Sequence, residues 1–186
     1  MPRDMSNNGG KKSAMLNLDA LGDAANQTVN FGSNDKPVLD KEVEATIVNT
    51  ELRRMNDIES YRDDPSKKFF KVVLSIETEF SYKEDGETKT AHSRDNYSGL
   101  RYIPKMDEEG NILYDATGEP EFERFWLGET SDCGKLMLVA QEYDSKIRSY
   151  SDFFNFVANH KKCVIMTEKR HMAGKTIDKE VIQRFI

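Results

Sequence analysis

The stretch from Phe69 to Tyr82 constrains this chain most. Its even positions Phe70, Val72, Leu74, Ile76 and Phe80 are large and apolar. Its odd positions Lys71, Ser75, Glu77, Glu79 and Ser81 are polar, with Phe69 and Val73 as exceptions. A period of two sends one row of side chains into a core and the other into water, so the segment is a half-buried antiparallel strand. Asp85-Gly86 follows, a pair suited to the left-handed backbone of a two-residue hairpin. The chain then returns as a more polar strand from Thr88 to Ile103. Whatever else it does, this chain is built on an antiparallel sheet.

The remaining segments extend that plan. Val43, Ala45 and Ile47 alternate with polar neighbours and predict an earlier strand, and Asn56 to Lys68 reads as a polar loop. Turn signals at Glu109-Gly110-Asn111 and Ala116-Thr117-Gly118-Glu119-Pro120 predict a hairpin inserted after the third strand, with Ile112–Tyr114 and Phe122–Leu127 as its arms. Leu136, Met137, Val139 and Ala140 stand at helical spacing behind Ser131 or Asp132 as cap. A second short helix carries Phe153, Phe154, Phe156 and Val157, with Ser151 or Asp152 as cap. Period two returns at Cys163, Ile165 and Thr167, and Ile177, Val181 and Phe185 mark a last strand after a turn at His171–Gly174. The expected fold is mainly β with minor α: a five-stranded OB-like Greek-key barrel, with helix between strands 3 and 4 and an inserted hairpin. A β-grasp or an irregular α+β sandwich has the same element order.

Texture divides the chain in two. Residues 1–36 are rich in Asn, Gly, Ser, Ala and Asp and read as a flexible or docking N-terminal arm, with Met15, Leu16, Leu18 and Leu21 as its anchors. Residues 37–186 form the OB-like domain. Four basic and four acidic residues balance in the arm, so the whole formal charge of -6 sits on the domain. That balance argues against coating duplex DNA by bulk electrostatics, but not against a local basic groove.

Several chemistries are excluded by spacing. Ala173-Gly174-Lys175-Thr176 lacks the glycine five residues before Gly174 that a phosphate loop needs, since Lys169 stands there. Cys133, His160, Cys163 and His171 offer no paired clasp for tetrahedral zinc. No nucleophile elbow is present. Glu77 and Glu79 share a strand face, the one feature favouring a metal-dependent nuclease. We therefore expect no enzyme, no catalytic residues, no metal and no cofactor. No apolar run approaches membrane-spanning length, which points to a soluble, cytoplasmic protein.

Basic and aromatic residues do interleave. One set runs Arg53, Arg54, Tyr61, Arg62, Lys67, Lys68, Phe69 and Lys71; a second runs Lys89, His92, Arg94, Tyr97, Arg101, Tyr102 and Lys105; a third runs Lys161, Lys162, Lys169, Arg170, His171, Lys175 and Lys179. Single strands need cations for phosphates and flat rings for bases, each stacked base contributing ~1–3 kcal/mol. An OB barrel would gather these sets on strands 2 and 3 and their flanking loops. Phe69, Tyr97 and Tyr102 are the expected stacking rings. Trp126, beside Phe125 and ahead of the helix, reads as a core anchor. The acids crowd elsewhere, at Glu77–Glu87 and Asp107–Glu123.

Phe125-Trp126-Leu127, the aromatic helix Phe153-Phe154-Asn155-Phe156, Lys161-Lys162-Cys163-Val164-Ile165 and Gly174-Lys175-Thr176 follow one another in a pattern that resembles bacteriophage single-stranded DNA-binding proteins of OB fold. The resemblance covers roughly residues 40–186. It implies a replication or recombination accessory protein that binds single-stranded DNA with little sequence specificity, in the cytoplasm of an infected bacterial host. The N-terminal arm is outside that pattern and is a candidate contact to a second copy or to replication proteins. The rival expectation is a non-enzymatic protein–protein module, such as a phage structural or assembly factor or an inhibitor of a host enzyme.

Overall fold

The hairpin at Asp85-Gly86 forms as its chemistry requires. In a computed structural model, which describes residues 37–172 and 174–186, Asp85 and Gly86 have φ of 52° and 84°. Two consecutive positive φ values match the twist of the flanking strands. The turn joins two long antiparallel strands whose register starts at Glu84 opposite Glu87. In chain order the elements are β1 (Val43–Ser60), β2 (Lys68–Glu84), β3 (Glu87–Pro104), β4 (Phe122–Leu127), α1 (Asp132–Tyr143), α2 (Tyr150–Asn159), β5 (Lys162–Met172) and β6 (Lys175–Phe185). The strands form one antiparallel sheet in the order β4-β3-β2-β1-β5-β6.

The period-two pattern of β2 decides which face is the core. Val72, Leu74, Ile76 and Phe80 pack with Ala45 and Ile47 of β1, Tyr97 and Leu100 of β3, Cys163 and Ile165 of β5, and Ile182 and Phe185 of β6. The helices cover this face with Cys133, Leu136 and Ala140 of α1 and Phe153 and Val157 of α2. Each large side chain so enclosed contributes roughly 1.5–3 kcal/mol. Two glycines let α1 approach. A Cβ on Gly134 would lie 2.1 Å from the Gly128 carbonyl oxygen. Gly99, at φ +101°, would place one 2.1 Å from Ser131 Cβ. Ser131 in turn caps α1, accepting from Gly134 N–H at 3.1 Å.

The mainly β expectation holds, and several finer expectations are corrected. The sheet has six strands where five were expected. β3 runs long enough for Leu100–Pro104 to pair with Phe122–Leu127, so the inserted hairpin's second arm becomes a sheet strand. Its first arm makes only the isolated bridges Met106–Ile112 and Tyr114–Pro120. Both expected helices form, as α1 and α2. The cap of α2 is Ser149, two residues before the expected Ser151: its side chain accepts from Asp152 N–H, and Asp152 accepts from the Ser149 N–H. β1 runs to Ser60, through part of the expected polar loop, with an irregularity between Arg54 and Ile58.

The sheet is not closed by a backbone ladder. At the open seam, β3 and β6 meet through side chains. The buried Tyr97 hydroxyl accepts from Ile182 N–H at 3.3 Å, and Lys179 Nζ donates to the Asn96 carbonyl at 2.8 Å. Ser93 Oγ lies 2.8 Å from Glu180 Oε2. The arm expected at residues 1–36 lies outside the described residues.

Candidate nucleic-acid interface

Residues opposite one another in an antiparallel pair share a face. Phe70, Val72 and Leu74 mark the core face, so the opposite face carries the rows Lys71–Arg101–Trp126 and Glu77–Arg94. Arg53, opposite Val73, and Phe69, opposite Glu59, stand on this outer face as well. Here the sequence brings chemistry together. The Arg101 guanidinium lies 4.4 Å from the Phe69 ring centroid, 4.8 Å from Tyr61 and 4.5 Å from Trp126. Tyr61 and Phe69 meet edge-on at 4.9 Å. Among the described residues Arg101 has no carboxylate within ion-pair reach. Three rings hold its charge in place through their electron-rich faces.

Trp126 is the surprise of this cluster. It is 42% exposed, and it borders a groove of about 520 Å³ with Tyr61, Lys67, Lys68, Ile103, Met106 and Arg124. It is not the expected core anchor. The signal was in the sequence: Trp126 shares parity with Arg124 and so points away from Phe125 and Leu127. Arg124 was also missed as a site residue, while Tyr61, named in the first basic-aromatic set, was not counted among the stacking rings.

The expected stacking rings fare differently. Tyr97 is only 2% exposed and bolts the seam, so its ring belongs to the core. Its hydroxyl pKa is pushed far up, first by burial. Phe69 is on the outer face but 5% exposed, covered by Arg101 and Tyr61. Tyr102 faces the core side, donates to the Pro120 carbonyl at 2.5 Å and packs against Phe70, Phe122 and Phe125. Arg54 is on that same side, over Phe70 at 4.7 Å, and pairs with Glu119 at 2.5 Å. Neither Tyr97, Tyr102 nor Arg54 belongs to the outer face.

The expected segregation of charge is also corrected. Acids share the face with the bases. Lys71 pairs with Glu59 at 2.6 Å, and Arg94 with Glu51 at 2.6 Å and Glu77 at 3.2 Å. Lys67 pairs with Asp64 at 3.2 Å, and hydrogen bonds from Ser66 and Lys67 hold that carboxyl below its usual range. Such exposed pairs each contribute at most about 1 kcal/mol, so they yield readily to a stronger anion. Lys68 donates to the Gly110 carbonyl at 3.0 Å. Of the third set, Lys169 and Lys175 are exposed on the β5–β6 hairpin, while Arg170 is held by Asp132 at 3.3 Å and Glu168 at 2.8 Å.

The side chains weighed for other chemistries have other partners. Glu77 is taken by Arg94, and Glu79 lies 3.3 Å from His92. Cys133 and Cys163 are buried free thiols, His160 contacts the Ile186 carbonyl and His171 contacts Thr176. Among the described residues no group of three or more His, Cys, Asp or Glu is placed to hold a metal ion, and no helix is long and apolar enough to cross a membrane. No family model, curated protein or solved structure matches this chain.

Proposed function

We propose that this chain binds single-stranded DNA on the outer face of β2, β3 and β4, as a non-enzymatic protein of the phage replication type. The observation that carries the reading is the exposed Trp126 indole beside the ring-caged Arg101, over a groove where Lys67, Lys68 and Arg124 alternate with Asp63, Asp64 and Glu123. An exposed indole is a base platform, and a cation fixed against it meets the phosphate between stacked bases. Arg53, Lys71 and Arg94 extend the cationic track along the same face, and Lys169 and Lys175 would flank it. The strand order supports an OB-like reading: β1 pairs with β2 on one side and β5 on the other, as the first strand of an OB barrel does, with β4 added outside and the β3–β6 seam left to side chains.

The sequence contains one tryptophan, so fluorescence reports on this site alone. Titration with oligo-dT at low salt is expected to quench Trp126 and raise the anisotropy of labelled DNA, with affinity falling steeply as salt rises. Trp126→Ala is expected to weaken binding by ~1–3 kcal/mol, the worth of one stacked base. Absence of binding at low salt would overturn the reading, and unchanged affinity in Trp126→Ala would overturn the platform.

A further inference from the structure

The segment between β3 and β4 does more than reverse the chain. From Lys105 to Glu121 it holds six acids and one base, Lys105, which pairs with Glu121 at 3.1 Å. It folds as two short loops, each organised by one aspartate. Asp107 accepts from the N–H groups of Glu109 and Asn111, and Asp115 from those of Thr117 and Glu119. Glu109 adds a 3.5 Å contact from the Asn111 side-chain amide, and Glu108, Glu109 and Glu119 of the insert and Glu123 at the start of β4 are exposed. The insert reaches the groove through Met106, and Glu123 at the start of β4 lines it beside that residue. It takes up cations from outside itself. The Gly110 carbonyl holds Lys68 of the groove at 3.0 Å, while Glu119 holds Arg54 on the core side at 2.5 Å.

We propose that this acidic insert is an internal competitor for polyanion, an autoinhibitory wall that lowers the affinity of the groove for single-stranded DNA. The inference rests on the proposed binding face. Its physics is additive. Each carboxylate near the groove opposes an incoming phosphate by a fraction of a kcal/mol in water-like dielectric, and several act together. The insert also occupies Lys68, a cation that the strand would otherwise engage. A strand that binds must displace the insert or tolerate its field, so weak or short ligands are rejected first.

The test separates the field of the insert from its folding. Glu108, Glu109, Glu119 and Glu123 are all changed to Gln, leaving Asp107 and Asp115 to organise the loops. A control protein carries Asp40→Asn, Glu44→Gln, Glu87→Gln and Glu142→Gln, exposed acids with no ion pair among the described residues. Both gain the same net charge. At low salt the insert variant is expected to bind oligo-dT about tenfold more tightly, the sum of several sub-kcal repulsions, and the control less than about twofold. The difference should shrink between 0.01 M and 0.1 M salt, as the screening length falls from about 30 Å to about 10 Å. An unchanged affinity in the insert variant, with the unaltered protein binding, overturns the inference and leaves the face standing. Equal gains in both proteins also overturn it, because net charge would then be the cause. Failure of all three to bind overturns the face and the inference together.

Discussion

Trp126 and Tyr97 show how one residue's burial decides its chemistry. Both are aromatic and both stand in strands, but one is exposed at the groove and the other has 2% of its surface in water. Burial acts on the cysteines in the same way. It pushes both thiols up to about 12, chiefly by desolvating the thiolate, with Asp132 adding to the effect at Cys133. The thiolate is the reactive form. We expect Cys133 and Cys163 to resist a thiol-specific reagent near pH 8 in the native protein and to react at once in denaturant, as a colorimetric thiol assay would show. The exposed aspartates behave oppositely. Hydrogen bonds to Asn111 lower Asp107, and bonds to Thr117 and Glu119 lower Asp115, from the ordinary 3.8. A lowered folded-state pKa stabilises above the unfolded value and is lost as pH falls through the folded one. The two loops should therefore keep their order near pH 5 and loosen only below pH 3.8, followed by the amide resonances of Gly110 and Gly118.

At the scale of elements, short-range signals were legible and their ends were not. The Asp85-Gly86 turn and the cap at Ser131 are local events, encoded within a few residues. The cap of α2 moved to Ser149 because Asp152 answers it from three residues on, completing a reciprocal pair that Ser151 could not make. Ser149→Ala is expected to cost about 1 kcal/mol of stability. Gly134→Ala should cost more, ~1–3 kcal/mol from overpacking, because the added methyl would meet a backbone carbonyl at 2.1 Å and not a yielding side chain. Paired urea melts would rank the two, and equal midpoints would refute the argument from close approach. β4 shows the limit of local reading. Parity with Arg124 put Trp126 on the side away from Phe125 and Leu127, but six residues cannot show that it meets Arg101 of β3 there.

For the molecule as a whole, the open question in the sequence was how the sheet ends. The answer is a seam of side chains between β3 and β6. Tyr97→Phe keeps the ring and removes the acceptor for Ile182 N–H. Leaving that buried donor unpaired should cost ~1–3 kcal/mol, read as a lower urea midpoint with an unchanged slope. A Tyr97→Phe protein as stable as the original would mean the seam does not depend on this bond.

The sequence by itself determined the periods: two along β2, 3.6 along the helices, and turns where glycine and aspartate punctuate. Those follow from the geometry of a few consecutive residues and need no distant partner. Only the tertiary structure decided the number of strands, the gathering of Tyr61, Phe69 and Trp126 round Arg101, the burial of Tyr97 and the company of acids on the basic face. Each of these depends on which residues meet across long loops. Lys71 finds Glu59 on β1, Arg101 finds Trp126 on β4, and Lys68 finds Gly110 on the insert. Register sets such meetings, and register is fixed by the burial of whole faces at once. A linear pattern can say that a residue faces water, but not which neighbour it will face there.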